Sequence, residues 1–226
     1  MASSEFKVKV TSAESVTALL YVAAKTKKMG VTLILGHGAG ANQLSGFMRL
    51  FAAGLAERGL DVMTFNFLYT EQSRKIPDPG PRLEQCYRAV IDAAIKQKKL
   101  KGNRVVPGGK SMGGRIASQV AASQPAGIDG LVFLGYPLHP PGRPDKLRSE
   151  HLPKIKAPML FVQGARDAFG TKEEISSVIK KLKLPATLHA IENGDHSLKV
   201  PKKMGSQQDV YNDAMDTIAE WVNRTL

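Results

Sequence analysis

Short strand-like runs alternate with segments whose apolar residues recur at helical spacing. Phe6 to Val10 and Ala18 to Ala24 predict two strands joined as a hairpin. The continuous apolar run Val31 to Leu35, closed by Gly36-His37-Gly38, predicts a strand buried on both faces of a parallel sheet. Leu44, Phe47, Met48, Phe51 and Leu55 then share one helical face, and Gly59 supplies a stop signal. Asp61 to Phe67 predicts the next strand. The polar, proline-bearing stretch from Leu68 to Pro81 predicts a loop, with Pro81 opening a helix whose apolar face is Leu83, Tyr87, Val90, Ile91 and Ala94.

The alternation continues to the end of the chain. Arg104 to Gly108 predicts a strand, Ser111 to Ser123 a helix of small residues, and Leu131 to Tyr136 a strand. Pro137 to Pro153, with its five prolines, predicts an excursion. Met159 to Gln163 and Ala186 to Ile191 predict strands on either side of a helix over Lys172 to Lys183. Val210, Tyr211, Ala214, Ile218, Trp221 and Val222 mark a last helix, with Ser206 and Asp209 as its capping pair. Strands alternating with helices imply βαβ units. The expected fold is α/β, a mostly parallel sheet of about eight strands with helices on both faces, in one domain spanning 1–226. Pro107 is a misfit, because a proline inside a central strand removes a ladder hydrogen bond; a bulge or an early strand end would accommodate it.

Composition narrows the chemistry. With 226 residues, 42% of them hydrophobic, the chain can bury a core without disulfides or metal. Its one cysteine, Cys86, excludes an internal disulfide framework and any multi-cysteine zinc site. No apolar stretch reaches the ~18 residues of a membrane span, and the N-terminus lacks the apolar segment of a secretory signal. The expected compartment is the cytoplasm, with the nucleus left open by a net charge of +12. Basic residues cluster at Lys25 to Lys28, Lys96 to Arg104, Lys180 to Lys183 and Lys199 to Lys203. These clusters are scattered, sit at element ends and lack interleaved aromatic residues, so they read as solvated surface rather than a nucleic-acid footprint. Lys180, Lys181 and Lys183 would complement the dipole at a helix C-terminus.

Gly109-Lys110-Ser111-Met112-Gly113 matches the pattern G-x-S-x-G. In a chain with 21 glycines chance alone yields on the order of 0.1 such matches. Its setting adds weight: an apolar strand precedes it and an alanine-rich helix follows, as in a nucleophile elbow. Such a turn pushes the serine hydroxyl into the open and aims a helix N-terminus at the site.

A serine nucleophile needs a base and a group to orient it. In α/β hydrolases the order along the chain is Ser, Asp, His. Among the five histidines, His196 in Asn193-Gly194-Asp195-His196-Ser197 fits, between the last strand and the last helix. Asp167, in the turn after Gln163-Gly164, is the expected carboxylate. Asp195 is a rival whose adjacency to His196 makes the geometry awkward, and Asp145 lies in the excursion. The oxyanion donors would be the backbone N–H groups of Met112 and of Ala39, with Gly40 the alternative to Ala39. His37 and His189 read as structural. Tyr69, Leu138 and His139 are expected as substrate-binding wall residues. No cofactor or metal is implied.

Gly38-Ala39-Gly40-Ala41, the elbow with Gly114-Arg115 after it, Tyr136-Pro137-Leu138-His139-Pro140-Pro141 and Gly194-Asp195-His196-Ser197 together resemble the small α/β-hydrolase-like family related to dienelactone hydrolase, of the KANL/Tex type. The resemblance covers nearly the whole chain and implies an α/β-hydrolase fold with a serine triad, here Ser111, Asp167 and His196. Dienelactone hydrolase itself uses a cysteine, so its substrate does not carry over. Some larger relatives act within chromatin complexes, and fold alone does not secure catalysis. The expected activity is hydrolysis of a small-molecule carboxylic ester, thioester or lactone in an open pocket without a large lid. The rivals are a non-catalytic module binding an acidic protein or nucleic acid through the basic surface, and a small-molecule receptor.

Overall fold

In the computed structural model, which describes residues 3–123, 127–182 and 185–226, the strands are β1 (Ser4–Lys9), β2 (Ser15–Tyr21), β3 (Val31–Gly36), β4 (Asp61–Phe65), β5 (Arg104–Lys110), β6 (Leu131–Leu134), β7 (Met159–Gly164) and β8 (Ala186–Ile191). They form one sheet in the order β1-β2-β4-β3-β5-β6-β7-β8. β1 and β2 are antiparallel to their neighbours; from β4 to β8 every pairing is parallel.

The helices are α1 (Gly46–Glu57), α2 (Leu68–Glu71), α3 (Gly80–Lys96), α4 (Met112–Ser123), α5 (Lys172–Ile179) and α6 (Gln207–Thr225). The apolar run of β3 serves two cores. Leu33 and Leu35 pack with Phe51 and Leu55 of α1 and Ile218 and Trp221 of α6. Ile34, between them, packs on the other face with Tyr87 of α3 and Ile116 of α4. Alternate residues of a strand point to opposite faces, so a strand covered on both sides reads as a continuous apolar run.

Several boundaries differ from expectation. β2 ends at Tyr21, and Ala24 already caps a short 3-10 turn at Lys25–Lys27. The Leu68–Pro81 stretch begins with the short helix α2, because Leu68 and Tyr69 are buried in the core and Asp78 accepts from the Tyr69 N–H. Pro81 occupies the second position of α3 rather than its first. α5 stops at Ile179, and Lys183 lies outside the described residues. Pro107 stays within β5: it pairs with Ile34, while the short ladder to β6 begins only at Gly108. Gly59 does close α1. It has φ +99°, its N–H donates to the Ala56 carbonyl, and the Leu60 N–H donates to the Leu55 carbonyl, which is a Schellman closure.

The chain runs from β3 outward to β4, then returns to place β5 on the other side of β3. This reversal opens a crevice at the carboxyl ends of β3 and β5, where open α/β sheets bind ligands. Among the described residues no helix is long and apolar enough to cross a membrane.

Candidate active site

Ser111 follows β5 with φ +51°, a left-handed conformation that is strained for a side-chain-bearing residue. Its neighbours make room for it. A Cβ on Gly109 would stand 2.2 Å from the Gly36 carbonyl oxygen, and one on Gly113 2.1 Å from the same atom. Only glycine lets strand, turn and helix approach so closely. The Ser111 N–H donates to the Leu134 carbonyl at 3.1 Å, which ties the turn to β6.

His196 lies in the loop between β8 and α6. Its Nε2 is 2.8 Å from Ser111 Oγ and its Nδ1 is 2.8 Å from Asp167 Oδ2. An ionised carboxylate only accepts, so Nδ1 carries the hydrogen and Nε2 is left to accept the serine proton. Asp167 is fully buried. It also accepts from Gln163 Nε2 at 2.8 Å and from the Phe169 N–H at 2.8 Å. Buried charge is costly unless so satisfied. Asp195 makes no hydrogen bond to the His196 ring among the described residues. Its Oδ1 accepts from the N–H groups of Ser197 and Lys199 and so shapes the loop itself. Asp145 is exposed and pairs with Arg143.

The loop after β3 supplies the other wall. His37 is buried beneath it, with burial lowering its pKa to about 4. Its Nε2 accepts from the Phe67 N–H at 3.3 Å, so its Nδ1 carries the hydrogen and donates to the Gly38 carbonyl at 2.9 Å. No peptide bond is cis among the described residues. In a trans unit the carbonyl and the next N–H point in opposite directions. The Ala39 N–H therefore points away from the buried ring. Met112 is the first residue of α4, so its N–H has no intrahelical acceptor. Gly40 has φ +71° and permits the turn.

A cavity of about 530 Å³ opens beside Ser111 and His196. Phe47, Met48 and Leu50 of α1 and Tyr211 of α6 form its apolar side, and Ala39 and Phe169 also line it. The three expected wall residues are not among those lining it. Tyr69 is buried beneath the β3 loop, its ring against His37. Leu138 is buried in the core on the α3–α4 side, and His139 uses its N–H to brace the Phe169 carbonyl at 3.0 Å. The proline-rich excursion, from which two of them come, contributes no lining residue. Tyr136 anchors it from beneath: its hydroxyl donates to the Arg148 carbonyl at 3.0 Å. Phe47, Met48 and Tyr211 had shown only a helical apolar face, and helical spacing does not separate a residue facing the core from one facing a cavity. Lys110 stood only at an unspecified position of the G-x-S-x-G pattern, and Phe169 carried no pattern at all.

Cys86 is buried, and burial pushes its thiol up to about 12, far from a nucleophile. His189 pairs with Asp213 on the outer face of β8. A wider groove of about 820 Å³ runs between β1 and α3, and Lys7, Lys9, Arg88, Lys96 and Lys98 face it with one carboxylate, Asp92.

The sheet order, the strained serine after β5 and the crevice beside β3 define an α/β hydrolase by architecture. The match extends through the chain: residues 29–223 fit the family described as Alpha/beta hydrolase domain, and the protein belongs to that family. Solved structures share the fold. A dienelactone hydrolase from Anabaena variabilis superposes with a TM-score of 0.79 at 21% identity, over 100% of this chain and 98% of that one. An α/β serine hydrolase without a lid from Xanthomonas campestris gives 0.72 at 17%, over 99% and 93%. An esterase from Pyrococcus furiosus gives 0.75 at 16%, over 99% and 93%.

Proposed function

We propose that the protein is a serine hydrolase that cleaves a carboxylic ester, or a related thioester or lactone, through an acyl-enzyme. The observation that carries this reading is the unbroken relay from Ser111 Oγ through the His196 ring to the buried Asp167 carboxylate. In the proposed reaction Ser111 Oγ attacks the acyl carbonyl carbon while His196 Nε2 takes its proton. The carbonyl oxygen gains negative charge and is held by the N–H groups of Met112 and Ala39. The C–O bond to the leaving group breaks, and the imidazolium returns the proton to the departing alkoxide. Water then repeats the sequence on the acyl-serine and releases the acid. Asp167 stays ionised and stabilises the imidazolium throughout.

The lack of lining residues from the excursion supports an open site. The apolar side formed by Phe47, Met48, Leu50 and Tyr211 suits an acyl group of several carbons better than acetyl. A fluorophosphonate tests the reading. Intact mass should show one adduct on the wild type and none on Ser111→Ala or His196→Ala, followed by turnover of 4-nitrophenyl esters. A folded wild type that takes no adduct would overturn it and turn attention to acidic partners for the basic groove, measured across a salt series.

A further inference from the structure

Lys110 stands between Gly109 and the serine, yet its side chain serves a different element. Its ammonium donates to the main-chain carbonyl of His196 at 2.6 Å, joining the end of β5 to the loop between β8 and α6. Gly135, after β6, leaves the space for this contact. A Cβ there would stand 2.6 Å from the His196 carbonyl oxygen and 3.1 Å from Lys110 Nζ. Three chain segments thus converge on one cation. Asp195 shapes the base loop from within, but among the described residues Lys110 makes the one hydrogen bond to the main chain of His196 itself.

A cation is a costly choice for such a site. Withdrawing an ammonium from water is unfavourable unless it is compensated. An apolar side chain would fill the space without that penalty. The compensation here is the carbonyl and the attraction of Asp167 and Asp195. Burial nonetheless brings the Lys110 pKa down to about 8, with the two carboxylates opposing the shift.

We propose that Lys110 is a positioning residue: its charged amine fastens the base loop, through the His196 carbonyl, to the strand that aims Ser111. The inference rests on the serine-hydrolase reading. A hydrogen bond from a charged donor is roughly twice as strong as one from a neutral donor. Burial works against the charge, so losing the proton would relieve the cost of burial while removing the charge from the bond; the bond's geometry, not its titration, carries the inference. Asp167 from the β7–α5 loop and Asp195 from the base loop are the carboxylates that act on Lys110. Lys199 and Tyr211 share its cavity, and burial raises the Tyr211 hydroxyl above its ordinary value, so that group titrates later.

The experiment measures the rate of Ser111 phosphonylation by a fluorophosphonate at about pH 7 in the wild type, K110M and K110R, each checked for folding by its Tm. Amide hydrogen exchange of the peptide carrying His196 is followed in parallel. K110M should label about tenfold or more slowly, with faster exchange in the loop. K110R keeps a charged donor, so it should recover part of the rate and of the loop protection. A K110M rate within about twofold of wild type, or a slower rate with loop exchange unchanged, overturns the proposal. If K110M does not fold, K110Q takes its place with the same outcomes. A wild type that takes no label sinks the hydrolase reading instead. Loop exchange then judges Lys110: faster in K110M and restored in K110R upholds the fastening, and unchanged removes it.

Discussion

The Phe169 ring lies stacked on the His196 imidazole, with centroids 4.1 Å apart and planes inclined by 28°. The same residue donates its N–H to Asp167 Oδ1, so one short loop carries both the carboxylate and the plate that limits ring rotation. Removing the plate leaves both hydrogen-bond partners of His196 in place but frees the imidazole to swing. Phe169→Ala should lower the phosphonylation rate about tenfold with little change in Tm, and Phe169→Leu should fall between. An unchanged rate in the alanine variant would show that the two hydrogen bonds alone hold the ring.

The two aspartates near His196 have separable tasks. Asp167→Asn can no longer hold the Nδ1–H tautomer as a charged acceptor, and kcat on an activated ester should fall about 10³- to 10⁴-fold. Asp195→Asn keeps an oxygen that accepts from Ser197 and Lys199. Its loss should stay under about tenfold. Equal losses in the two variants would mean that loop shape, rather than the carboxylate behind the imidazole, governs the rate.

Gly113 tests the elbow. The Cβ of Gly113→Ala would meet backbone of Gly36, which cannot swing aside as a side-chain tip could. The variant should lose about 3 kcal/mol or more of stability, read as a lower urea midpoint. Gly142→Ala is the control for unfolding conditions: it has open space for a Cβ but also a positive φ of +69°, so a loss near 1 kcal/mol is expected. Similar midpoints for the two variants would refute the close-approach argument.

His37 makes stability depend on pH. In the folded chain its pKa is lowered to about 4, below the ordinary 6.5 it regains on unfolding. Above pH 6.5 both states are neutral and its stabilising contacts are intact. Between 6.5 and 4 the unfolded chain binds a proton that the folded chain excludes, so stability falls as pH falls. The loss is on the order of 3 kcal/mol by pH 4. His151, lowered to about 4 by burial and by Arg115, adds a loss in the same window. Urea unfolding from pH 8 to pH 4 should show a shallower decline in His37→Gln than in the wild type. Parallel declines would show that His37 titrates normally.

Element order and the serine turn were legible in the chain because both are local. Apolar spacing reports which face of a helix is covered, and glycines flanking a serine between strand and helix report a tight turn. Gly59 acted as read for the same reason, since a helix closure involves only neighbouring residues. Expectations of the cavity wall failed at Tyr69, Leu138 and His139. Nothing in a polar or proline-rich stretch says whether it folds over a site or beneath it. Burial of Tyr69 under the β3 loop and of Leu138 in the core settled that.

The meeting of Ser111, Asp167 and His196 belongs to the tertiary structure. Chain order made the three residues candidates, but 29 residues separate Asp167 from His196 and 85 separate His196 from Ser111. They meet because β7 and β8 pair in parallel, Gly164 opposite Ile191, which sets the loops after the two strands side by side. A residue's type and its neighbours in sequence define what chemistry it can perform. Which partner it reaches follows from strand pairing, a long-range choice made by the whole buried sheet, and for that reason Lys110 and Phe169 become visible only in the folded chain.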